Sequence, residues 1–152
     1  MGVDYGRLVR RRREMLGLSQ RALARRAGVA QPLIAVIERN HRQPSGRTRA
    51  ALDEALAVKP SVALEACADH VREVFTRFGL EAPRVFGSVA RKDDDESSDL
   101  DLLVDFTDSH DIVDLLALED ELTDLLTVKV EIVDARGESG VLDRAREEAV
   151  AL

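Results

Sequence analysis

The charge of the chain reverses near residue 60. Residues 1–60 carry thirteen Arg or Lys against five Asp or Glu, and residues 61–152 nine against twenty-four, so balances of +8 and −15 hide inside a net charge of −7. So sharp a split predicts two small domains, 1–59 and 60–152, with Lys59-Pro60-Ser61 as the boundary and Ser61 capping the helix that follows. A basic block suits nucleic acid, and an acidic block suits metal, a basic partner or plain solvation. Composition narrows the classes further. Apolar residues make up 45% of the chain but aromatics only 3%, with no Trp, so packed cores must be built from Leu, Val, Ile and Ala, and a disordered chain is excluded. Cys67 is the single cysteine, which rules out an intrachain disulfide, and with only His41, His70 and His110 no Cys/His zinc site can be assembled. No apolar run approaches the roughly 20 residues needed to span a bilayer, and the N-terminus is too charged for a signal peptide. A cytoplasmic protein without membrane contact is the expectation.

Hydrophobic periodicity differs between the halves as charge does. In the basic half it is helical throughout: Tyr5 to Leu16 ended by Gly17, Gln20 to Ala27 capped by Ser19 and broken by Gly28, Val29 to Arg39 with Pro32 tolerated in the first turn, and Arg47 to Ala57 after a Pro44-Ser45-Gly46 turn. The fourth helix should turn Leu52, Ala55 and Leu56 inward. In the acidic half one helix, Val62 to Phe78, is ended by Gly79. The period then alternates: a strand at Arg84–Phe86, a strand from Asp99 to Phe106, a Leu-rich helix from Ile112 to Leu126, a strand from Val128 to Val133, and a helix from Val141 to Leu152. Strands interleaved with helices imply an α/β (α+β) domain with a small mixed sheet beside an all-α bundle.

Two short helices joined by a turn at Gly28, the second opening with polar side chains, are what a reading head for the DNA major groove requires. The stretch Ser19-Gln20-Arg21-Ala22-Leu23-Ala24-Arg25-Arg26-Ala27-Gly28-Val29-Ala30-Gln31, continuing through Ile34 to Glu38, resembles the Cro-repressor-type (XRE) helix-turn-helix family over about residues 7–57. The match rests on Ala24 at the helix crossing, the turn glycine, apolar Val29 and Ile34, and Glu38 near the end of the reading helix. The resemblance implies operator binding, with Gln20 on a phosphate and Gln31, flanked by Ala30 and Ala35, on base edges; glutamine can pair bidentately with adenine. Arg10 to Arg13, Arg21, Arg25, Arg42 and Arg47 would supply the salt-dependent backbone contacts. Val36 departs from the polar or basic residue usual at its place. The plainer alternatives are a helical bundle with a solvated basic face, or a unit that dimerises or docks a partner.

The acidic half concentrates its chemistry in Val85-Phe86-Gly87-Ser88-Val89-Ala90-Arg91 and in Asp99-Leu100-Asp101. Asp99 and Asp101 are two apart on a strand, so both side chains leave one face, with Cα atoms about 7 Å apart. Paired carboxylates beside apolar residues are costly unless a cation neutralises them, and an oxygen-only donor set favours magnesium or manganese. Two such ions about 3.5–4 Å apart can activate a hydroxyl and stabilise a leaving pyrophosphate. That chemistry needs a third acid from a neighbouring strand, and Glu131, between Val130 and Ile132, supplies it, with a natural role in orienting or deprotonating the incoming hydroxyl. Gly87 admits backbone close to a triphosphate, Ser88 offers a hydroxyl and an N–H, and Arg91 lies one turn along, able to clamp a phosphate oxygen. The glycine-rich loop of a Walker P-loop is absent. Asp93 to Glu96 reads as a solvated loop, and Lys92 and Lys129 as surface residues, with contact to a nucleotide as the alternative for both lysines.

These residues resemble the minimal nucleotidyltransferases of the polymerase-β-like superfamily, whose signature of Gly-Ser, ten residues and Asp-x-Asp is matched by Gly87-Ser88, Val89 to Ser98 and Asp99-Leu100-Asp101. The resemblance covers about residues 68–152, with helix 61–78 serving as a linker. Glu131 stands where the family more often has Asp, and Lys92 where it usually has Gly. The resemblance implies transfer of AMP from ATP, with Mg2+ (or Mn2+), to a hydroxyl, commonly a tyrosine of a HEPN-type ribonuclease toxin, while the DNA-binding domain represses the shared operon as a homodimer or as a hetero-oligomer with the toxin. The alternative is a repressor or contact-only antitoxin on a catalytically degenerate fold.

Overall fold

Every helix of the basic half owes its start to a local cap or a proline. The Asp4 carboxylate accepts from the backbone N–H groups of Gly6 and Arg7 to open α1 (Tyr5–Met15). Ser19 accepts from Ala22 to open α2 (Gln20–Ala27), and Ser45 accepts from Thr48 to open α4 (Gly46–Ala55). Between them α3 (Gln31–Glu38) has Ala30 at its N-cap and no side-chain cap, but Pro32 sits in its first turn, where a missing N–H leaves nothing unsatisfied. Gly28 closes α2 with φ 67°, the left-handed conformation that frees the chain to turn into α3. The third helix begins two residues later than its apolar period suggests, because Val29 and Ala30 are used by the turn. Tyr5, Val9, Leu23, Ala24, Ile34, Ile37, Leu52, Ala55 and Leu56 form the core, an aliphatic cluster with one aromatic at its edge. The Tyr5 hydroxyl donates to Asp53 at 2.8 Å, and the Arg49 guanidinium stacks 4.2 Å from the ring centroid, so that edge is pinned by polar contacts.

The computed structural model describes residues 4–152 and divides into two compact units, Met1–Val58 and Lys59–Leu152. The second opens with α5 (Pro60–Arg77), whose N-cap is Lys59, without a side-chain hydrogen bond. Ser61 is therefore a helical residue and not the cap expected of it. Its N–H is satisfied instead by Asp94 Oδ2 at 2.9 Å, so the acidic run, exposed at Asp93, Asp95 and Glu96, contributes one structural contact.

Beyond α5 come β1 (Arg84–Phe86), α6 (Gly87–Arg91), β2 (Leu100–Val104), α7 (Ile112–Leu126), β3 (Val130–Asp134), α8 (Gly140–Glu148) and β4 (Val150–Ala151). The sheet runs β3-β2-β1-β4, with β2 and β3 parallel and the other neighbours antiparallel. The parallel step is possible because α7 makes the crossover, entered through a capping box of Asp111 and Asp114. Leu118, Leu122 and Leu126 of α7 repeat every four residues and are fully buried. Along β2 the faces alternate: Leu103 packs with Ala135, Leu142 and Ala145 under α8, and Leu100, Leu102 and Val104 are buried on the other side. The last helix stops at Glu148, shorter than its period to Leu152 suggests, because Val150 and Ala151 pair with Val85 and Arg84 as an edge strand. Among the described residues no helix is long and apolar enough to cross a membrane.

Candidate functional site

The carboxylates meet because of strand register. In the parallel β2–β3 ladder Asp101 stands opposite Glu131, and Leu100, one residue earlier, opposite Val130. Asp99 and Lys129, just outside the two strands, are joined at the same rung end: the Leu100 N–H donates to Lys129 O at 2.9 Å. With side chains alternating along each strand, Asp99, Asp101, Lys129 and Glu131 project to one face, three negative groups and one positive. The Lys129 ammonium donates to Asp99 Oδ2 at 2.9 Å and to Glu131 Oε1 at 2.6 Å. Those two carboxylates hold its pKa above the ordinary lysine value. Asp101, two residues from Asp99 and across from Glu131, has no share in that bridge. Burial, then repulsion from Glu131 and Asp99, raises its pKa, and Lys129 and Arg91 only partly offset this.

Gly87 joins β1 to α6 with φ 69° directly above Asp101. A Cβ at this position would overlap Asp101 Oδ2 and stand 3.2 Å from its Cγ, so both the backbone angle and the close approach demand glycine. The contact brings the Gly-Ser segment and the Asp-x-Asp segment to one cleft of about 360 Å3, lined by Phe86, Gly87, Ser88, Arg91 and Asp101 on one side and by Val141, Arg144, Ala145 and Glu148 of α8 on the other. Arg91 reaches across it. Its guanidinium donates to Asp93 Oδ2 at 3.3 Å and to Glu148 Oε2 at 3.0 Å, which raises its pKa. Lys92, where a glycine is usual in the resembled family, adopts φ 62° at the end of α6, which is the physical reason glycine suits that place.

All six residues expected at this site thus share one neighbourhood: Gly87, Ser88, Arg91 and Asp101 line the cleft, Glu131 pairs with Asp101 in register, and Asp99 is tied to Glu131 through Lys129. Two residues of the cleft, Arg144 and Glu148, escaped the sequence reading. Lys129 was legible, since it lies two residues before Glu131 and must share its face. Arg144 and Glu148 were not, because only the packing of α8 beside β1 and α6 brings them to the cleft. As arranged, no three His, Cys, Asp or Glu among the described residues are gathered around one point where a metal ion could sit. The donor set nonetheless fits a hard divalent cation. It consists of carboxylate oxygens on two adjacent strands, and two of the three already hold a cation, the lysine ammonium, between them.

In the first unit α3 carries Gln31 and Ala35 one turn apart on one face, with Ala30 exposed at its start. Arg21 and Arg42 are exposed. Gln20 is engaged: its amide donates to Glu38 Oε2 at 3.0 Å and its oxygen accepts from Gln31 at 3.0 Å. Glu38 also binds Arg13 at 2.6 Å, an ion pair whose side chains are 4% and 13% exposed, so Arg13 serves the interior and does not join the solvent-facing arginines. Arg10 pairs with Glu14 along α1.

Comparison with known proteins agrees with both units. A helix-turn-helix family model matches residues 9–62, and the polymerase β nucleotidyltransferase family model matches residues 70–149. A protein of Methanocaldococcus jannaschii described as a candidate protein adenylyltransferase is 34% identical over 64 residues, which is 42% of this chain and 65% of the relative. The protein adenylyltransferase MntA of Thermococcus cleftensis is 39% identical over 64 residues, again 42% of this chain and 65% of the relative. The chain thus spans a little under two thirds of the length of these relatives. A solved structure of a candidate minimal nucleotidyltransferase superposes with a TM-score of 0.54 at 39% identity, covering 60% of this chain and 95% of that one. Cleft, register and family matches lead to one conclusion: the chain belongs to the polymerase-β-type nucleotidyltransferases, as a minimal member carrying an XRE-type helix-turn-helix ahead of its transferase unit.

Proposed function

We propose that this chain transfers AMP from ATP to a hydroxyl of a partner protein, with Asp99, Asp101 and Glu131 as the catalytic, metal-holding acids and Gly87, Ser88 and Arg91 holding the triphosphate. The observation that carries this reading is the close approach of Gly87 to Asp101 at the cleft, beside the Asp101–Glu131 register pair. Relatives named as protein adenylyltransferases support a protein acceptor. Magnesium or manganese, when bound by the three acids, supplies Lewis-acid activation of the hydroxyl and charge neutralisation of the departing pyrophosphate. Glu131, the most exposed of the three, orients the incoming hydroxyl and takes its proton. Gly87 keeps the backbone low enough for phosphates to approach Asp101. Arg91 exchanges its present carboxylate partners, Asp93 and Glu148, for phosphate oxygens.

In this reading the acceptor is a tyrosine of a HEPN-type ribonuclease toxin, and the chain is its cytoplasmic antitoxin. The first unit binds operator DNA as a homodimer or as part of a complex with the toxin, since one helix-turn-helix reads only a half-site. Gln31, Ala30 and Ala35 face the bases, Arg21 and Arg42 contact phosphates, and Gln20 positions Gln31 by accepting a hydrogen bond from its side-chain amide while reaching the backbone. The test is incubation of the full chain with radiolabelled ATP, magnesium and the protein encoded beside it. Label on that partner, lost in Asp99→Asn, is the expected result; equal labelling by Asp99→Asn rejects the assignment of the acids.

A second reading has one observation in its favour. Lys129 occupies the space between Asp99 and Glu131, as a salt bridge in a retired active site would. A contact-only antitoxin or repressor would bind neither ATP nor divalent cation under any of these conditions.

A further inference from the structure

Lys129 stands where its charge matters most. It is the only lysine or arginine hydrogen-bonded to any of the three acids among the described residues, and it bridges two of them across adjacent strands. Neither Asp99 nor Glu131 has another side-chain partner there. Arg91, the other cation near Asp101, is turned to Asp93 and Glu148. Three like charges on two neighbouring rungs repel, and the ammonium relieves this between Asp99 and Glu131. Lys129 is itself 62% exposed, so the bridge is solvent-screened and can open without disturbing the core.

We propose that Lys129 is a built-in counter-ion of the acidic site: it holds Asp99 and Glu131 together when no metal is bound, competes with the metal for them, and so sets the site's divalent-cation affinity. The inference rests on reading the three acids as metal ligands. In this arrangement the site is not a naked cluster that captures any passing cation. A metal ion must displace the ammonium, which the arrival of triphosphate favours by offering both the metal and Lys129 new oxygens. Lys129 is thus a positioning residue that acts through Asp99 and Glu131.

The test uses the full chain and Mn2+ alone, with free Mn2+ counted by electron paramagnetic resonance, followed by Mn2+ with ATP. Removing the ammonium in Lys129→Met should tighten Mn2+ binding in the absence of nucleotide by about three- to tenfold, the scale of one or two exposed ion pairs. Lys129→Arg, which keeps the charge, should stay within about twofold of the parent. A residue needed only for folding would weaken binding when removed, so the direction of change separates the two roles. Unchanged or weaker Mn2+ binding by Lys129→Met, with the parent binding normally, overturns the inference and leaves the acids as ligands. Failure of the parent and of Lys129→Met alike to bind Mn2+, with and without ATP, overturns the reading of the acids themselves.

Discussion

Asp101 is the residue at which function and stability oppose each other. It lies partly buried, two residues from Asp99 and across from Glu131, outside the Lys129 bridge, and its folded-state pKa is raised by burial first and by the charges of Glu131 and Asp99 second. A carboxyl whose folded pKa exceeds its unfolded value holds its proton longer in the native state. Stability is therefore greatest at low pH and falls as pH rises through the carboxylate range. Without metal, Asp101→Asn should unfold at a higher temperature than the parent at neutral pH. A gain of about 0.5–1 kcal/mol is expected, at the low end of what relieving a strained functional site yields because Asp101 is only partly buried. The difference should disappear in acid, where Asp101 is protonated, and melting curves across pH would check both points. Gly87 shows the converse case, a residue chosen for what it leaves out: its positive φ and the carboxylate beside it exclude any side chain. Leu102 and Leu103, by contrast, are both buried and belong to the apolar run by which the strand from Asp99 to Phe106 was legible.

Among the elements, α3 depends on a single acid for its seat. Glu38, at the end of the helix, accepts two bonds from Arg13 of α1 and one from Gln20 of α2, so one carboxylate ties three helices together. Its side chain is 4% exposed, and removing it leaves the largely buried Arg13 guanidinium with the Leu18 carbonyl as its close acceptor and takes the acceptor from the Gln20 amide. Glu38→Ala should destabilise the first unit by about 3 kcal/mol, in line with breaking a buried ion pair. Thermal unfolding followed by circular dichroism should show the unit's midpoint falling by roughly 10 °C or more. Glu38→Gln, which keeps part of the network, should lose less. The family pattern marked Glu38 as a position but not its role, since Arg13 lies 25 residues away in sequence. The helix start at Gln20 was readable because Ser19 caps it locally, and that at Ile112 from its Leu-rich period, with Asp111 as the cap in the structure. The end of α8 was not, because pairing with β1, a tertiary contact, overrides the helical period of Val150 and Ala151.

At the scale of the whole molecule, two compact units with separate cores should respond to separate ligands. Calorimetry is expected to resolve two transitions. Operator DNA should raise only that of the helix-turn-helix unit, and ATP with magnesium only that of the transferase unit. Each shift should correspond to about 2.7 kcal/mol when ligand is present at one hundred times its dissociation constant. Movement of both transitions by either ligand alone would mean that the units are energetically coupled.

The sequence by itself determined the boundary in charge, the helical period of the first unit, the strand and helix order of the second up to its last helix, and the Gly-Ser and Asp-x-Asp spacing. Each of these is a local property: a cap, a period or an offset along one segment. Tertiary structure decided the rest. The partner of Asp101 is set by the β2–β3 register, the second wall of the cleft by the packing of α8, and the place of Lys129 by both its own strand and the neighbouring one. Lys129 was set aside as a surface residue because spacing alone shows which face a side chain takes but not what lies across from it. That depends on how two strands align, and strand pairing is fixed by the core they bury together.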